Sequence, residues 1–137
     1  MNILLVEDDE VDVMNIRRAF RRNQIQNPIY TASDGLEALA LLRGTGDRSI
    51  MPPTRRIVLL DLNMPRMSGL EFLQELRSDA QLRTIPVIVL TTSNREQDRQ
   101  QAYHYNVAGY LVKPIAFDAF SDLMVAFNHY WILNEIP

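Results

Sequence analysis

Residues able to do phosphoryl or metal chemistry sit at the ends of four short apolar runs. Glu7, Asp8, Asp9 and Glu10 follow residues 3–6, Asp61 follows residues 57–60, Thr91 follows residues 86–90, and Lys113 follows residues 107–112. Carboxylates brought together repel, and one stays protonated unless a cation joins them. An oxygen-only set suits magnesium, which keeps some of its waters. A carboxylate can also accept a phosphoryl group as an aspartyl phosphate. The charge that develops then calls for a cation, a hydroxyl donor and a lysine. Each residue also has a plainer reading. Asp61 could cap a turn, the acidic run could cap a helix, Thr91 could satisfy a turn, and Lys113 could be a solvated strand-end charge. What separates the readings is whether the chain brings these residues to one place.

The pattern around them predicts that it does. The run Ile57-Val58-Leu59-Leu60 has no polar alternation, as expected of a strand buried on both faces in a parallel sheet. Residues 3–6, 28–32, 86–90 and 107–112 read as four more strands, with Pro86 tolerated at a strand start. Between them run helical patterns. Val13, Ile16 and Phe20 mark the first, which opens on acids and closes on Arg17, Arg18, Arg21 and Arg22, as the helix dipole favours. Leu36, Leu39 and Leu42 mark the second, stopped by Gly44, and residues 44–56 read as a loop. Ser68 with Glu71 forms a capping box ahead of Leu70, Leu73 and Leu76. Residues 95–105 fit a polar, exposed helix, and residues 116–131 form the last. Alternating strands and helices imply an α/β, doubly wound, five-stranded parallel sheet with five helices and right-handed crossovers. Such a sheet puts all its carboxyl strand ends at one edge, where ligands bind.

The totals narrow the field. The 137 residues make one domain, and 47% hydrophobic content is ordinary for a globular chain. A net charge of −3 suggests no general nucleic-acid or membrane surface. The absence of cysteine excludes disulfides and thiolate metal sites. No apolar run approaches the ~20 residues of a membrane span. The N-terminus lacks the basic region and cleavage site of a signal peptide, so a cytoplasmic protein is expected.

Taken in order, Glu7-Asp8, Leu60-Asp61-Leu62-Asn63-Met64-Pro65 with Ser68-Gly69, Thr91-Thr92-Ser93 and Lys113-Pro114 resemble the receiver domain of two-component response regulators, over nearly the whole chain. The resemblance implies a flavodoxin-like receiver fold and Asp61 as phosphoacceptor. It implies magnesium held by Asp8, Asp61 and the Asn63 backbone carbonyl, with Glu7 acting through water. It implies Thr91 and Lys113 as ligands of the phosphoryl oxygens, Tyr110 as an aromatic switch paired with Thr91, and a cis bond before Pro114. Tyr110 could equally be an amphipathic core residue. Asn63 and Ser93 flank the approach of attacking water and are expected to tune the lifetime of the phosphate.

The segment 127–137, the loop 44–56 and Leu90-Thr91-Thr92-Ser93 with Arg95-Glu96 look like the single-domain regulators that partner phytochrome histidine kinases. This finer resemblance implies a light-sensing kinase upstream, a homodimer, and signalling through protein contacts without a DNA-binding output domain. One receiver domain is expected over residues 1–137, with 128–137 as an interaction extension. In the last helix Phe117, Phe120, Met124, Phe127 and Trp131 form one apolar stripe, and Ala116, Ala119, Leu123, Ala126 and Tyr130 form a second beside it. Ile132, Leu133 and Ile136 extend it. Phe127, Tyr130, Trp131 and Leu133 are therefore expected to contact a second copy or a kinase.

Two other functions compete. Haloacid dehalogenase-type phosphatases also use a strand-end aspartate, but need a second aspartate two residues on as general acid. Here that position is Asn63, which cannot do that work. A scaffold that keeps only the fold would not need the full acid, hydroxyl and lysine set.

Overall fold

The unbroken apolar runs become the strands of one parallel sheet flanked by helices. The computed structural model describes residues 1–46 and 51–137. The elements run β1 (Asn2–Val6), α1 (Glu10–Arg22), β2 (Ile29–Ala32), α2 (Gly35–Arg43), β3 (Arg56–Leu60), α3 (Gly69–Ser78), β4 (Val87–Thr91), α4 (Glu96–His104), β5 (Gly109–Val112) and α5 (Phe117–Trp131). The strand order is β2-β1-β3-β4-β5, all parallel, with β3 at the centre. The expected loop at 44–56 leads into β3, but its residues 47–50 lie outside the described residues.

Alternate residues of each central strand feed one of two cores. Leu4, Val6, Val58, Leu60, Val87 and Val89 pack with α2, α3 and Ala102 of α4. Ile3, Leu5, Ile57, Leu59, Ile88 and Leu90 pack with α1 and α5 through Ile16, Phe20, Phe120, Met124 and Phe127. This is why β1, β3 and β4 show no polar alternation. The edge strand β5 differs: Gly109, Tyr110 and Leu111 are only half-buried, and Val112 is exposed. Across the second core, the Arg18 guanidinium lies 4.0 Å over the Phe117 ring and Arg22 donates to Asp118 at 2.7 Å, joining α1 to α5.

Local signals set the helix ends. Asp9 caps α1, accepting from the Val11 and Asp12 N–H groups at 2.9 and 3.4 Å. The Ser68–Glu71 capping box opens α3 in both directions, at 3.3 and 3.2 Å. Gly44 ends α2 in the left-handed region, at φ 70°, where a side chain would be strained. The helix marked by Leu36, Leu39 and Leu42 forms where expected, but the three leucines do not share one buried face. Leu36 is 50% exposed, and α2 is instead buried through Gly35, Ala38, Leu39, Leu41 and Leu42. A helix between sheet and solvent turns i, i+3, i+4 and i+7 inward, so the face is set by Ala38 and Leu41 rather than by the first leucine. No peptide bond among the described residues is cis, which corrects the expectation at Lys113–Pro114. Trans is the form an X–Pro bond favours, by about 0.5–1 kcal/mol.

The C-terminal segment also differs from expectation. Phe127 is turned into the α1–α5 core, which corrects its assignment as a contact residue, and Trp131 is half-buried against the same core. Ile136 packs there too, and the Arg55 N–H donates to the Pro137 carbonyl at 2.6 Å. The tail therefore folds back on its own domain. Tyr130, Ile132 and Leu133 stay exposed.

Candidate functional site

Parallel register brings the strand-end residues together. Val6 lies beside Leu60, so the residues that follow, Glu7 and Asp61, leave β1 and β3 side by side. The Asp61 N–H donates to the Val6 carbonyl at 3.0 Å. One carboxylate oxygen from each of Glu7, Asp8 and Asp61 lies within 4.8 Å of the others. Thr91 ends β4 beside Val112 of β5, and the Lys113 N–H donates to the Thr91 carbonyl at 2.8 Å. The expected acids, hydroxyl and lysine thus share one edge of the sheet.

The turn after β3 is held closely against it. The Gly69 N–H donates to the Leu62 carbonyl at 3.0 Å. A Cβ on Gly69 would sit 2.5 Å from the Asp61 carbonyl oxygen and 2.7 Å from Leu62 Cα, so only glycine lets α3 start this near the strand end. Arg66, at φ 62°, reaches across to the buried Asp34 carboxylate with its Nε at 2.7 Å. Asp34 also caps α2 through the Glu37 N–H at 2.9 Å. These contacts bracket Asn63, which is exposed at the mouth of the site.

Burial is uneven within the acidic group. Glu7 and Asp61 are 4% and 8% exposed, whereas Asp8 faces solvent. Burial pushes the Glu7 carboxyl up to about 8, Lys113 opposes this, and the neighbouring Asp61 adds to it. Carboxylates gathered this closely repel one another, which a divalent cation relieves, and the ligands are all oxygen. The residues fit magnesium. Lys113 hydrogen-bonds the Glu7 carboxylate and also Asp12 Oδ2 at 2.8 Å. Burial alone would lower the Lys113 ammonium, but Asp12 and Glu7 hold it above its ordinary value, with Asp61 contributing.

Asp12 was not singled out from sequence, because an acid in the first turn of a helix reads as dipole complementation. Thr91 is wholly buried, and its Oγ1 accepts from the Ser93 N–H at 3.3 Å. Tyr110 is half-buried, packs against the α2–α3 side core, and donates its hydroxyl to the Ser93 carbonyl at 2.9 Å. The expected contact residues Tyr130, Trp131 and Leu133 lie on α5 and the tail, outside this site.

A five-stranded parallel α/β sheet with clustered acids at the ends of β1 and β3, and Thr91 and Lys113 at the ends of β4 and β5, defines a phosphoryl-receiver architecture. A family model described as "Response regulator receiver domain" matches residues 3–124, and the chain belongs to that family. It is 40% identical over 132 residues to the probable methanogenesis regulatory protein FilR2 of Methanothrix harundinacea, covering 95% of this chain and 83% of that protein. It is 33% identical over 130 residues to response regulator Rcp1 of Synechocystis sp., covering 95% of this chain and 88% of Rcp1. The structure of the Mn(2+)-bound form of Rcp1 superposes with a TM-score of 0.86 over 98% of this chain and 97% of that one. That of the phosphorylated cyanobacterial phytochrome response regulator RcpA superposes with a TM-score of 0.87, at 33% identity, over 99% of this chain and 97% of that one. The chain is thus a response regulator receiver domain similar to single-domain phytochrome regulators. None of its described helices is long and apolar enough to cross a membrane.

Proposed function

We propose that this domain accepts a phosphoryl group on Asp61 from a histidine kinase, in a magnesium-dependent reaction. The observation that carries the reading is the meeting of Glu7, Asp8 and Asp61 within 4.8 Å, with Thr91 and Lys113 on the adjoining strand ends. Asp8, Asp61 and the Asn63 carbonyl would hold magnesium, with Glu7 acting through water. When bound, the ion neutralises charge on the phosphoryl oxygens and offsets the repulsion among the acids. An Asp61 carboxylate oxygen attacks phosphorus. The P–N bond of the donor phosphohistidine breaks, its electron pair stays on the imidazole nitrogen, and that nitrogen takes up a proton. Thr91 donates its hydroxyl proton to one phosphoryl oxygen, and Lys113 supplies positive charge to another.

Readout then passes from Thr91 to Tyr110, whose ring environment changes with phosphorylation. The chemistry is confined to this self-modification and its reversal. The phosphatase alternative is not favoured, because Asn63 stands where that chemistry needs an acid. The likeness to RcpA, a cyanobacterial phytochrome response regulator, supports a phytochrome-type kinase as donor; the setting proposed with it is the cytoplasm. Output is through protein contacts, with a homodimer formed by α5 and the tail 128–137.

Incubation with acetyl phosphate and magnesium, followed by intact-mass and peptide analysis, tests the central step. One phosphoryl group per chain, mapped to Asp61 and lost in Asp61→Asn, is expected. Modification that persists in Asp61→Asn at the normal rate would overturn the assignment.

A further inference from the structure

Ser93 joins three parts of the molecule through three of its own polar groups. Its N–H donates to Thr91 Oγ1 at 3.3 Å, its carbonyl accepts from the Tyr110 hydroxyl at 2.9 Å, and its hydroxyl donates to Asp98 Oδ2 at 2.6 Å. Asp98 lies in the first turn of α4 and is only 6% exposed. Arg95 grips both of its oxygens, Nε on Oδ2 at 3.1 Å and Nη2 on Oδ1 at 3.0 Å. Arg95 and Ser93 hold the Asp98 carboxyl below its ordinary range, so it is ionised near neutral pH. An ionised carboxylate only accepts, which makes Ser93 the donor and fixes the direction of the chain of bonds.

Little else fastens α4. Its sequence, Glu96-Gln97-Asp98-Arg99-Gln100-Gln101-Ala102-Tyr103-His104, has no apolar stripe, and within it only Asp98 and Ala102 are buried. The Arg95 side chain makes no N-cap hydrogen bond. The N-terminal half of the helix is therefore held by one carboxylate rather than by an apolar face. Hydrogen bonds weaken steeply once misaligned, so such an anchor responds to small movements of its partner.

We propose that Asp98 is a positioning residue that couples α4 to the switch pair Thr91 and Tyr110, with Ser93 as the junction between them. This coupling rests on the reading of Asp61 as phosphoacceptor. A hydroxyl has one proton and two lone pairs. The Ser93 N–H occupies one lone pair of Thr91 and leaves its proton free for a phosphoryl oxygen. When the Thr91 hydroxyl turns toward that oxygen, the Ser93 N–H must follow it or lose its acceptor. The Ser93 carbonyl and hydroxyl then carry the displacement to Tyr110 and to Asp98. Helix α4 moves as a consequence, because nothing apolar fixes its first turn.

The test uses the full chain, free and loaded with magnesium and beryllofluoride as phosphoryl mimic. Backbone amide shifts and hydrogen exchange of residues 96–104 are followed together with the Tyr110 ring signals. In the wild type the mimic is expected to change both. In Asp98→Ala, α4 amides in the free protein should exchange roughly tenfold or more faster, the scale of a lost charge-assisted hydrogen bond. The mimic should then no longer alter them, while it still binds at Asp61. Asp98→Asn, which can still accept the Ser93 proton, should restore part of the α4 response. Should Asp98→Ala lose helicity outright, Ser93→Ala decides the question: it leaves the Arg95–Asp98 pair in place and should abolish the α4 response. An α4 response of wild-type size in Asp98→Ala or Ser93→Ala overturns the coupling. A wild-type protein that takes no mimic at all overturns the phosphoacceptor reading beneath it, an outcome distinct from bound mimic without an α4 response.

Discussion

Asp8 is the exposed member of the acidic group, and this sets the division of labour with Glu7 and Asp61. A cation can reach Asp8 without displacing protein, whereas Glu7 is already engaged by Lys113. Asp8→Ala should therefore weaken magnesium binding without unfolding the domain. The loss should exceed the roughly 10- to 100-fold that removing an outer-shell partner costs. Isothermal titration measures it, and an unchanged affinity removes Asp8 from the site. Gly69 acts in the opposite sense, through space it leaves empty. In Gly69→Ala the new methyl would meet the Asp61 carbonyl, which is backbone and cannot swing aside. A destabilisation of about 1–3 kcal/mol is expected, as for other overpacked positions, read from the urea midpoint of the magnesium-free protein. A midpoint equal to that of wild type would show that the turn after β3 has slack.

At the scale of elements, the Ser68–Glu71 box is a local device, and its effect should be separable from the site it faces. Ser68→Ala removes the acceptor for the Glu71 N–H and should cost about 1 kcal/mol of stability. Thermal melts check this, and phosphate incorporation at Asp61 should be retained. This box, the Gly44 stop and the apolar strands were legible in the sequence because their signals lie within a few residues. So were the strand-end residues, since parallel topology alone places such ends together. The Leu36 face of α2 was not legible, because three leucines at helical spacing do not say which neighbouring small residues the sheet will accept. Asp12 and Asp98 were not legible as a lysine partner and a buried hub. Asp12 meets Lys113 across 101 positions of chain, and Asp98 sits on a helix whose composition reads as solvent-exposed. Tertiary partners of polar side chains leave no period in a sequence, whereas apolar faces do.

At the scale of the whole molecule, the outer face of α5 is left uncovered by the rest of the domain. Ala116, Ala119, Ala126 and Tyr130 are exposed along it, and Ile132 and Leu133 continue the patch, Leu133 at 81% exposure. Three alanines let a second helix approach closely, and Tyr130 stands edge-on to Trp131 with ring centroids 5.3 Å apart, a rigid aromatic corner beside them. An exposed apolar patch on a helix is a surface that a two-fold dimer can use. Cutting the chain at Asn128 is a poor test of the dimer. It would also remove Ile136 from the core and the Pro137 carbonyl from Arg55, and so confound association with stability. Leu133→Glu is cleaner, because its side chain touches solvent and a charge there costs the monomer little. Light scattering should give a dimer for the wild type at tens of micromolar and a monomer for Leu133→Glu, with unchanged melting of the dilute proteins. The edge-on Trp131 offers an independent reading, since its fluorescence should shift on dilution in the wild type and not in the variant. A wild-type protein that stays monomeric at high micromolar concentration, with and without beryllofluoride, would exclude the homodimer. The same patch, bounded by the tail that folds back to Arg55, would then be a surface for a different protein.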